Sequence, residues 1–412
     1  MSLTRFLPVP SDRMGILWTL LNIEGSVIVE YGPAGTTHFS MGLYGELGIE
    51  QENRLFTTHM REEDVIMGDT TRLEKAILEV DENYSPKVIF VVASSCSAVI
   101  GTDLRGVCTM VQPKTKAKLV AFEQGGFRGD YSFGLKAAYD LIAGTLAAGG
   151  AEHRPGTYNI LGASSGAYRC KADVLEIQRL MTEAFSMKCL CAMCLETSVE
   201  ALEAMTGADI NLVIRREALP AARMMEEKFG IPYIYGVPYG YRGTSDWLAV
   251  IGEKLGRIVN PKVVGELKRK TMSLMQYRMY SRMFRRDTMK AYLYGEYETV
   301  SGLSQFLSDM GIRAAHLISA HSLAPLELRE GAEEITHTES EKQRIDILRG
   351  LERTLVLADD TAGRLISNTN TFVRISTPLI DGSQVATHMP LVGPRGADMI
   401  REYVDSYLNT LR

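Results

Sequence analysis

KVIFVVASSCSAVIGTDL (87–104) is the stretch of sequence that decides the fold class. Its first half is an unbroken apolar run of strand length, which is typical of a parallel strand covered on both faces. Cys96 follows this run directly, at the strand end where open α/β sheets place their ligands. The stretch therefore predicts an α/β fold with a candidate ligand site near Cys96. The alternative for Cys96 is a buried thiol, which is what most lone cysteines are.

Segments on both sides of this strand extend the pattern. VIVEYGPAG (27–35) and KLVAFEQGG (118–126) are each typical of a strand that runs into a glycine turn. Between the first of them and the central run, TTRLEKAILEV (70–80) places its apolar residues on one helical face. Strands that alternate with helices in this way predict a parallel sheet with right-handed crossovers.

The same alternation begins again twice along the chain. The Gly- and Pro-rich segment GGAEHRPGTY (149–158) marks the first restart, and a long helical segment at 263–288 precedes the second. We therefore predict three Rossmann-like α/β domains with parallel sheets, at 1–150, 151–286 (including the connecting helix) and 287–412. Ligands of such folds bind at the carboxyl ends of strands or between domains.

The composition excludes several classes of protein. The chain has 45 Lys and Arg against 50 Asp and Glu, a net charge of -5, and so lacks the basic excess of a nucleic-acid-binding protein. No run approaches the roughly 20 apolar residues of a membrane span, and the first residues do not resemble a secretion signal. We expect a cytoplasmic protein that binds neither nucleic acid nor membrane. Its six cysteines are too few for a disulfide scaffold, which leaves buried thiols, metal ligands or reactive groups.

Four of the cysteines lie in the second predicted domain. Cys189, Cys191 and Cys194 form a CxCxxC pattern at the end of a predicted strand, and Cys170 closes the preceding strand. Because the ends of neighbouring parallel strands share one edge, Cys170, Cys191 and Cys194 form a candidate site for zinc or an iron–sulfur cluster. The alternative is simple burial, since Cys189 and Cys191 are two residues apart and are expected to face the same side of a strand.

Taken in order, segments of this chain resemble the nitrogenase component 1 family, which includes dark-operative protochlorophyllide reductases and nickel-tetrapyrrole reductive cyclases. The resemblance spans essentially the whole chain. The segments that carry it are YGPAGT (31–36), TTHMREEDVIMGDTTRLEKAI (57–77), SSCSAVIGTDL (94–104), QGGFRGDYSFGLKAA (124–138), EEKFGIPYIYGVPYGYRGTSDWL (226–248) and the terminal VGPRGADMI.

The resemblance implies three α/β domains around a central cleft. It also implies an oxidoreductase subunit that works as a homodimer or with a second component 1-like subunit. In this family a separate ATP-dependent iron–sulfur reductase supplies electrons to a cluster at the subunit interface. From the cluster the electrons pass to a substrate or a second cofactor in the cleft.

The family's ligand residues are only partly present. The interface cluster is held by cysteines from three motifs, which fall here at Ser11, Thr36 and Cys96, and only Cys96 is a cysteine. A hydroxyl is a poor replacement for a thiolate on iron, so the resemblance implies at most a cluster shared with a partner subunit. The cysteine and histidine that hold the iron–molybdenum cofactor of nitrogenases would fall near Ile214 and Ser383, and neither is present. We therefore expect no such cofactor in its usual ligation, and no nitrogen fixation.

The sequence leaves three functional hypotheses. The leading one is a nitrogenase-like oxidoreductase subunit that reduces an unidentified small molecule, with substrate contacts expected from GASSGAYRC (162–170) and GVPYGYRG (236–243). The second is a non-catalytic partner or cofactor-assembly scaffold, favoured by the loss of two of the three cluster positions. The third is a small-molecule-binding protein with no redox role. No catalytic residue is assigned by the sequence.

Overall fold

The computed structural model describes residues 4, 9–37, 54–147, 149–284, 289–326, 335–338, 340–379 and 386–411, apart from the side chains of 277 and 280–284. Its first sheet has four parallel strands in the order β3-β2-β4-β5. The strands of the first part of the chain are β1 (Ile23–Glu24), β2 (Ser26–Tyr31), β3 (Leu55–Thr57), β4 (Val88–Ala93) and β5 (Lys118–Phe122). The helices are α1 (Asp12–Leu20), α2 (Glu62–Met67), α3 (Thr71–Tyr84), α4 (Ser95–Val99), α5 (Leu104–Val111) and α6 (Tyr131–Thr145).

Burial in the first sheet follows the sequence pattern. All six residues of β4 are buried, as expected of a central parallel strand with helices on both faces. Helix α3 buries Leu73, Ile77 and Val80, the apolar face that the sequence predicts. Helix α1 packs against α6 so closely that a β-carbon added to Gly15 would lie 2.1 Å from the carbonyl oxygen of Tyr131.

The second sheet is again parallel, in the order β10-β9-β6-β7. Its part of the chain contains β6 (Thr157–Leu161), β7 (Lys188–Ala192), β8 (Thr197–Ser198), β9 (Ile210–Val213) and β10 (Tyr233–Tyr235). The helices are α7 (Cys170–Phe185), α8 (Val199–Ala204), α9 (Leu219–Phe229), α10 (Gly240–Leu255) and α11 (Pro261–Phe284). Strand β8 pairs with β1, which connects this part of the chain to the first.

The third sheet has five parallel strands in the order β13-β12-β11-β14-β15. They are β11 (Lys290–Gly295), β12 (Arg313–Ser319), β13 (Thr336–His337), β14 (Thr354–Ala358) and β15 (Thr371–Arg374). The helices are α12 (Tyr297–Asp309), α13 (Glu341–Arg349), α14 (Asp360–Leu365) and α15 (Gly393–Thr410). The C-terminal helix α15 packs back against α7 and α10, and one large apolar core joins the second and third sheets.

Three consecutive parallel sheets confirm the predicted α/β class. Each of these three sheets lies within one of the three predicted ranges, 1–150, 151–286 and 287–412, whereas the two-stranded β1–β8 sheet joins the first two ranges. The boundaries between these ranges stay a prediction. Of the helices in the described part of the chain, none combines the length and the apolar character that a membrane crossing requires.

Candidate functional site

Cys96 lies in helix α4, directly after the central strand β4. A reciprocal cap fixes the start of this helix: Ser94 Oγ accepts a hydrogen bond from the Ser97 N–H at 3.2 Å, and Ser97 Oγ accepts one from the Ser94 N–H at 2.9 Å. Both serines are fully buried, whereas Cys96 is half-buried. The chain therefore holds Cys96 rigidly at the carboxyl end of the first sheet and leaves its side chain partly accessible.

Ser11 and Thr36, the other two expected ligand positions, lie in segments that come close to the start of helix α4. A β-carbon added to Gly126 would lie 3.2 Å from Ser11 Oγ and 3.5 Å from Ser95 Oγ. A β-carbon added to Gly32 would lie 2.4 Å from the β-carbon of Ser94 and 3.3 Å from Thr36 Oγ1. The structure thus brings the two segments to the residues that precede Cys96. We call this place the Cys96 edge, defined by residues 11, 32–36, 94–96 and 125–126.

A buried network centred on Glu30 occupies the interior beside this edge. Glu30 Oε1 accepts hydrogen bonds from Arg13 Nη2 at 2.5 Å and Thr36 Oγ1 at 3.1 Å. Its Oε2 accepts one from Thr37 Oγ1 at 2.9 Å. Glu30 is wholly buried, and Arg13 nearly so. The hydroxyl at position 36 is therefore engaged by protein groups.

These residues do not fit a complete iron–sulfur cluster within one chain. Such clusters are held by thiolates, usually four. At the three expected ligand positions, the Cys96 edge offers one thiol, on Cys96, and two hydroxyls, on Ser11 and Thr36, and the Thr36 hydroxyl is bound to Glu30. Any further thiolates at this edge have to come from another subunit.

Three of the four cysteines of the second domain, Cys170, Cys191 and Cys194, are buried thiols, whereas Cys189 is half-buried. Cys170 Sγ accepts a hydrogen bond from the Ser164 N–H at 3.4 Å, and Cys191 Sγ lies 3.4 Å from Thr197 Oγ1. Burial raises the pKa of Cys170 to about 11 and that of Cys191 to about 12, and it raises the pKa of Cys194 well above the usual value. A raised thiol pKa disfavours the thiolate form that binds metal.

The structure does not bring these cysteines together as a metal site. Cys170 belongs to the apolar core on one face of the second sheet, whereas Cys191 and Cys194 belong to the core on the other face. Within the described part of the chain, no three His, Cys, Asp or Glu side chains are arranged to hold a metal ion. The expectation that Cys189 and Cys191 face the same side is wrong, because a bulge at the intervening residue shifts the register between β6 and β7.

A cavity of about 550 Å³ lies between the first and third domains. We call it the interdomain cavity. Its described lining comprises Thr4, Val9, Pro10, Trp18, Gly129, Asp130, Tyr131, Phe133, Tyr294, Ala320, Ser322, His337, Thr338, Ser340, Glu341, Arg344, Ile345, Leu348, Asp359, Thr361, Leu365, Thr377, Pro378 and Leu379. The volume lies within the range of small-molecule sites. Neither 162–170 nor 236–243, the loops expected to contact a substrate, is part of this lining.

Glu296 connects the three domains behind the cavity wall. Its Oε1 accepts a hydrogen bond from the Tyr131 hydroxyl at 2.9 Å, and its Oε2 accepts one from Arg215 Nη1 at 2.6 Å. His321 Nε2 lies 3.5 Å from the same Oε2. Burial alone would raise the pKa of Glu296, but the charges of Arg215 and His321 outweigh burial and lower it. A charged carboxylate is therefore stable at this junction.

Arg344 and Asp359 form an ion pair in the cavity wall, which also contains the carboxylates of Asp130 and Glu341. Arg344 Nη2 donates a hydrogen bond to Asp359 Oδ1, and Arg344 Cζ lies 3.5 Å from the centre of the Tyr294 ring. Within the described residues, neither Arg344 Nε nor Asp359 Oδ2 has a hydrogen-bond partner. Burial raises the pKa of Asp359, although the neighbouring guanidinium opposes this effect. The wall thus contains a buried ion pair with unused hydrogen-bonding capacity.

Sequence reasoning missed these residues, although two signals were present. Glu30 is a charge inside the otherwise apolar strand of VIVEYGPAG (27–35), and a buried charge requires a partner. Asp359 directly follows the apolar strand β14, at the strand end where ligand sites occur. Of the two positions that the iron–molybdenum cofactor would require, Ile214 is half-buried, and Ser383 lies outside the described residues.

Comparison with known proteins agrees with this architecture. A family model described as nitrogenase component 1 type oxidoreductase matches residues 11–411. The chain belongs to the nitrogenase component 1 family. A solved structure titled nitrogenase Cp1 at pH 6.5 superposes with a TM-score of 0.80 and covers 100% of this chain and 95% of its own, at 18% identity. At 18% identity, this structural similarity shows that the chain has the component 1 fold and shows nothing about its activity.

The curated relatives of this component 1 chain include cofactor biosynthesis proteins and a protochlorophyllide reductase subunit. The nitrogenase iron–molybdenum cofactor biosynthesis protein NifE of Klebsiella pneumoniae is 27% identical over 361 residues, 84% of this chain and 75% of the relative. NifE of Clostridium pasteurianum is 29% identical over 55% of this chain and 49% of the relative. A subunit of the light-independent protochlorophyllide reductase of Heliobacterium modesticaldum is 26% identical over 61% of this chain and 48% of the relative. In the last two, the match spans about half the length of the relative.

Proposed function

We propose that this chain is one subunit of a component 1-type oxidoreductase that reduces a small molecule in the interdomain cavity. Electrons enter at the Cys96 edge from a separate ATP-dependent iron–sulfur reductase. The whole-chain family match and the volume of the cavity support this proposal. The reaction differs from nitrogen fixation, because the residue types that hold an iron–molybdenum cofactor are missing at 214 and 383.

The position of Cys96 is the observation that carries the proposal. It is the one family ligand position that keeps a thiol, and it lies at the carboxyl end of the central strand with its side chain half-buried. Cys170, Cys191 and Cys194, by contrast, are buried in apolar cores. Among these four thiols, Cys96 is the one that a second subunit can approach without unfolding a core.

A shared iron–sulfur cluster at this edge takes one ligand, Cys96, from this chain. When bound, the cluster supplies one-electron transfer. Two copies of this chain would together offer two such thiols, fewer than the usual four. A second component 1-like subunit that carries all three family cysteines therefore fits better than a homodimer as the partner.

The test is iron quantitation, ultraviolet–visible absorption and EPR on protein purified without oxygen. The chain is prepared alone and co-expressed with a component 1-like subunit that has all three cysteines. We expect charge-transfer absorption at about 400 nm from the heteromer, and its loss in Cys96→Ser. Cys108→Ser is the matched control, because Cys108 is buried in α5 and stands at none of the three family ligand positions. Absence of iron from both preparations would overturn the proposal.

A second candidate function is a cofactor-assembly scaffold with no turnover of its own. It is favoured by the names of the NifE relatives and by the hydroxyls at Ser11 and Thr36. The two candidates differ in what an ATP-dependent iron–sulfur reductase does to the complex. With an oxidoreductase, the complex draws electrons from the reductase continuously once substrate is present. With a scaffold, electron consumption stops after one equivalent of bound cofactor has been reduced.

A further inference from the structure

We propose that a second copy of this chain docks on the face formed by helices α10 and α11, with a two-fold axis relating the two copies. We call this surface the hairpin face and define it by the exposed residues of α10 (Gly240–Leu255), of the turn 256–260 and of α11 (Pro261–Phe284). It belongs to the second domain and includes no residue of the Cys96 edge or of the described lining of the interdomain cavity.

Helix α11 has two apolar lines on different sides. Leu267 and Leu274 are buried against the rest of the chain. Met272 and Met279 have the same seven-residue spacing, but they lie about 140° around the helix from the buried line, at 3.6 residues per turn. Both are exposed, Met279 to 75%, and so is Met275 between them. The buried line attaches the helix to its own chain, and the methionine line is the part that a partner can cover.

The exposed line has the spacing of a helix-packing seam. Gly265, Lys268, Met272, Met275 and Met279 follow one another at alternating intervals of three and four residues, the pattern by which one helix packs on another. Glycine inside a helix is unfavourable relative to alanine. A β-carbon on Gly265 would meet no described atom within 4 Å, so packing within the described chain does not require a glycine there. A partner helix that approaches closely does give a reason for it.

The hairpin face is large enough for a specific interface. Val250 of α10, Ile258 of the turn and Val264 of α11 are also exposed, Ile258 to 91%. Contiguous exposed apolar side chains mark interaction sites, whereas single ones are normal. With 16 and 24 residues, the two helices cover about 600 Å² per copy, or about 1,200 Å² in all, which is the lower end of stable protein interfaces.

The charges of the two helices are complementary to each other. Helix α11 contains six basic residues and one acidic residue in a chain of net charge -5, and its Lys268 and Arg269 are exposed. On α10, the exposed carboxylates of Asp246 and Glu253 are seven residues apart and lie on one ridge. The two basic side chains of α10 already face carboxylates of their own chain. The hairpin face thus has an acidic ridge and a basic ridge, which suits a partner with the same two ridges.

A two-fold axis parallel to the helices places α10 of each copy on α11 of the other. Because the turn is centred on Ile258, residues equally far from it along the chain lie at about the same height. Asp246 is 12 residues before Ile258 and Arg269 is 11 after it, while Glu253 is five before and Lys262 is four after. Each carboxylate is therefore level with a basic residue of the other copy. A two-fold axis perpendicular to the helices would instead stack α11 on α11 and set basic residues against each other.

Sedimentation velocity of the isolated chain measures the association, and we expect a dimer. Met275→Asp places a charge in the apolar seam of both copies at once, and it should raise the dissociation constant of the dimer about a hundredfold. Met110→Asp is the matched control, because Met110 is a similarly exposed methionine in α5. It should change the dissociation constant less than about twofold. Circular dichroism verifies that both variants are folded.

A charge exchange tests whether the partner is a second copy. Asp246→Lys/Glu253→Lys sets like charges level with each other and should weaken the dimer about tenfold. Adding Lys262→Glu/Arg269→Glu to the same chain restores opposite signs across the interface. The dissociation constant should then return to within about threefold of that of the unmodified chain. Failure of the fourfold variant to recover, although it is folded, would overturn the proposed pairing of α10 with α11.

Two other results would overturn the second copy as the partner. The first is a monomer at about 100 µM, and the second is a dimer that Met275→Asp leaves unchanged, since another face then forms it. Cosedimentation with vesicles of phosphatidylglycerol and phosphatidylcholine covers the alternative occupant. A monomer that binds these vesicles, and loses this binding in Lys262→Glu/Arg269→Glu, would assign the face to an anionic membrane instead. Iron binding by the heteromer and its Cys96→Ser variant is measured separately, so none of these results decides the proposed function.

Discussion

Arg13 and Glu30 form a buried ion pair with 2.5 Å between Nη2 and Oε1, beside the edge where the family resemblance implies a metal cluster. The pair joins helix α1 to strand β2, and the threonines at 36 and 37 extend the network into the following loop. These contacts thus connect α1, β2 and the loop after β2, which contain or adjoin the expected ligand positions Ser11 and Thr36. A buried charge that loses its partner is strongly unfavourable, so these segments depend on one another.

The first prediction concerns this ion pair. Glu30→Gln removes the buried carboxylate that pairs with Arg13, and we expect the free energy of unfolding to fall by about 3–5 kcal/mol. Urea unfolding followed by circular dichroism measures the change. Glu24→Gln removes an exposed carboxylate from β1 and should change stability by less than about 0.5 kcal/mol. Equal midpoints for the two variants would contradict the structural role of the pair.

The second prediction concerns the glycines of the loop after β2. A β-carbon on Gly32 would lie 2.4 Å from the Ser94 β-carbon, whereas one on Gly35 would meet no atom within 4 Å. Gly32→Ala should therefore displace the cap of α4, lower stability by about 1–3 kcal/mol and change the rate of Cys96 alkylation. Gly35→Ala should leave both quantities near those of the unmodified chain. Peptide mapping by mass spectrometry gives the alkylation rate of Cys96 separately.

The third prediction concerns the cysteines of the second domain. Cys191→Ser/Cys194→Ser should leave iron content after anaerobic purification unchanged, because both thiols are buried on one face of the sheet and Cys170 on the other. Cys96→Ser, prepared from the same heteromer, should lower it. A loss of iron in the double variant that matches the loss in Cys96→Ser would restore the second-domain metal site as an explanation.

The elements that the sequence predicts well are those specified by local pattern. The central strand and the position of Cys96 at its end follow from an unbroken apolar run and from the geometry of parallel sheets. The buried face of α3 follows from apolar spacing, and Leu73, Ile77 and Val80 confirm it. In each case the information lies within about ten neighbouring residues.

The elements that escaped prediction depend on non-local packing. The bulge between Cys189 and Cys191 arises from pairing with β6, and alternation within β7 alone predicts the wrong face for one of them. The partners of Glu30 come from α1 and from the loop after β2. The interdomain cavity is lined by Trp18 of the first domain and Arg344 of the third, an arrangement set by domain packing that no local pattern encodes.

The buried carboxyl group of Glu217 allows a test of the electrostatics around Arg215 and Glu296. It is wholly buried, and neither of its carboxylate oxygens has a hydrogen-bond partner among the described residues. Burial raises its pKa to about 7, with Arg215 opposing the shift and Glu298 and Glu296 adding to it. The pKa of His321 is also raised, because the nearby carboxylates outweigh its burial.

The fourth prediction is the pH dependence that follows. Because its folded-state pKa is raised above the ordinary value of 4.5, Glu217 favours the folded state when protonated, and this contribution is lost as the pH rises from about 4.5 through about 7. Glu217→Gln cannot ionise, so the variant should gain stability over the unmodified chain by roughly 2–3 kcal/mol between pH 5 and pH 8. Urea unfolding of both proteins at the two pH values gives this difference. The titration of His321 contributes to it as well, because Glu217 is one of the carboxylates that raise the pKa of His321. A difference that does not change with pH would show that Glu217 is ionised in the folded protein throughout this range.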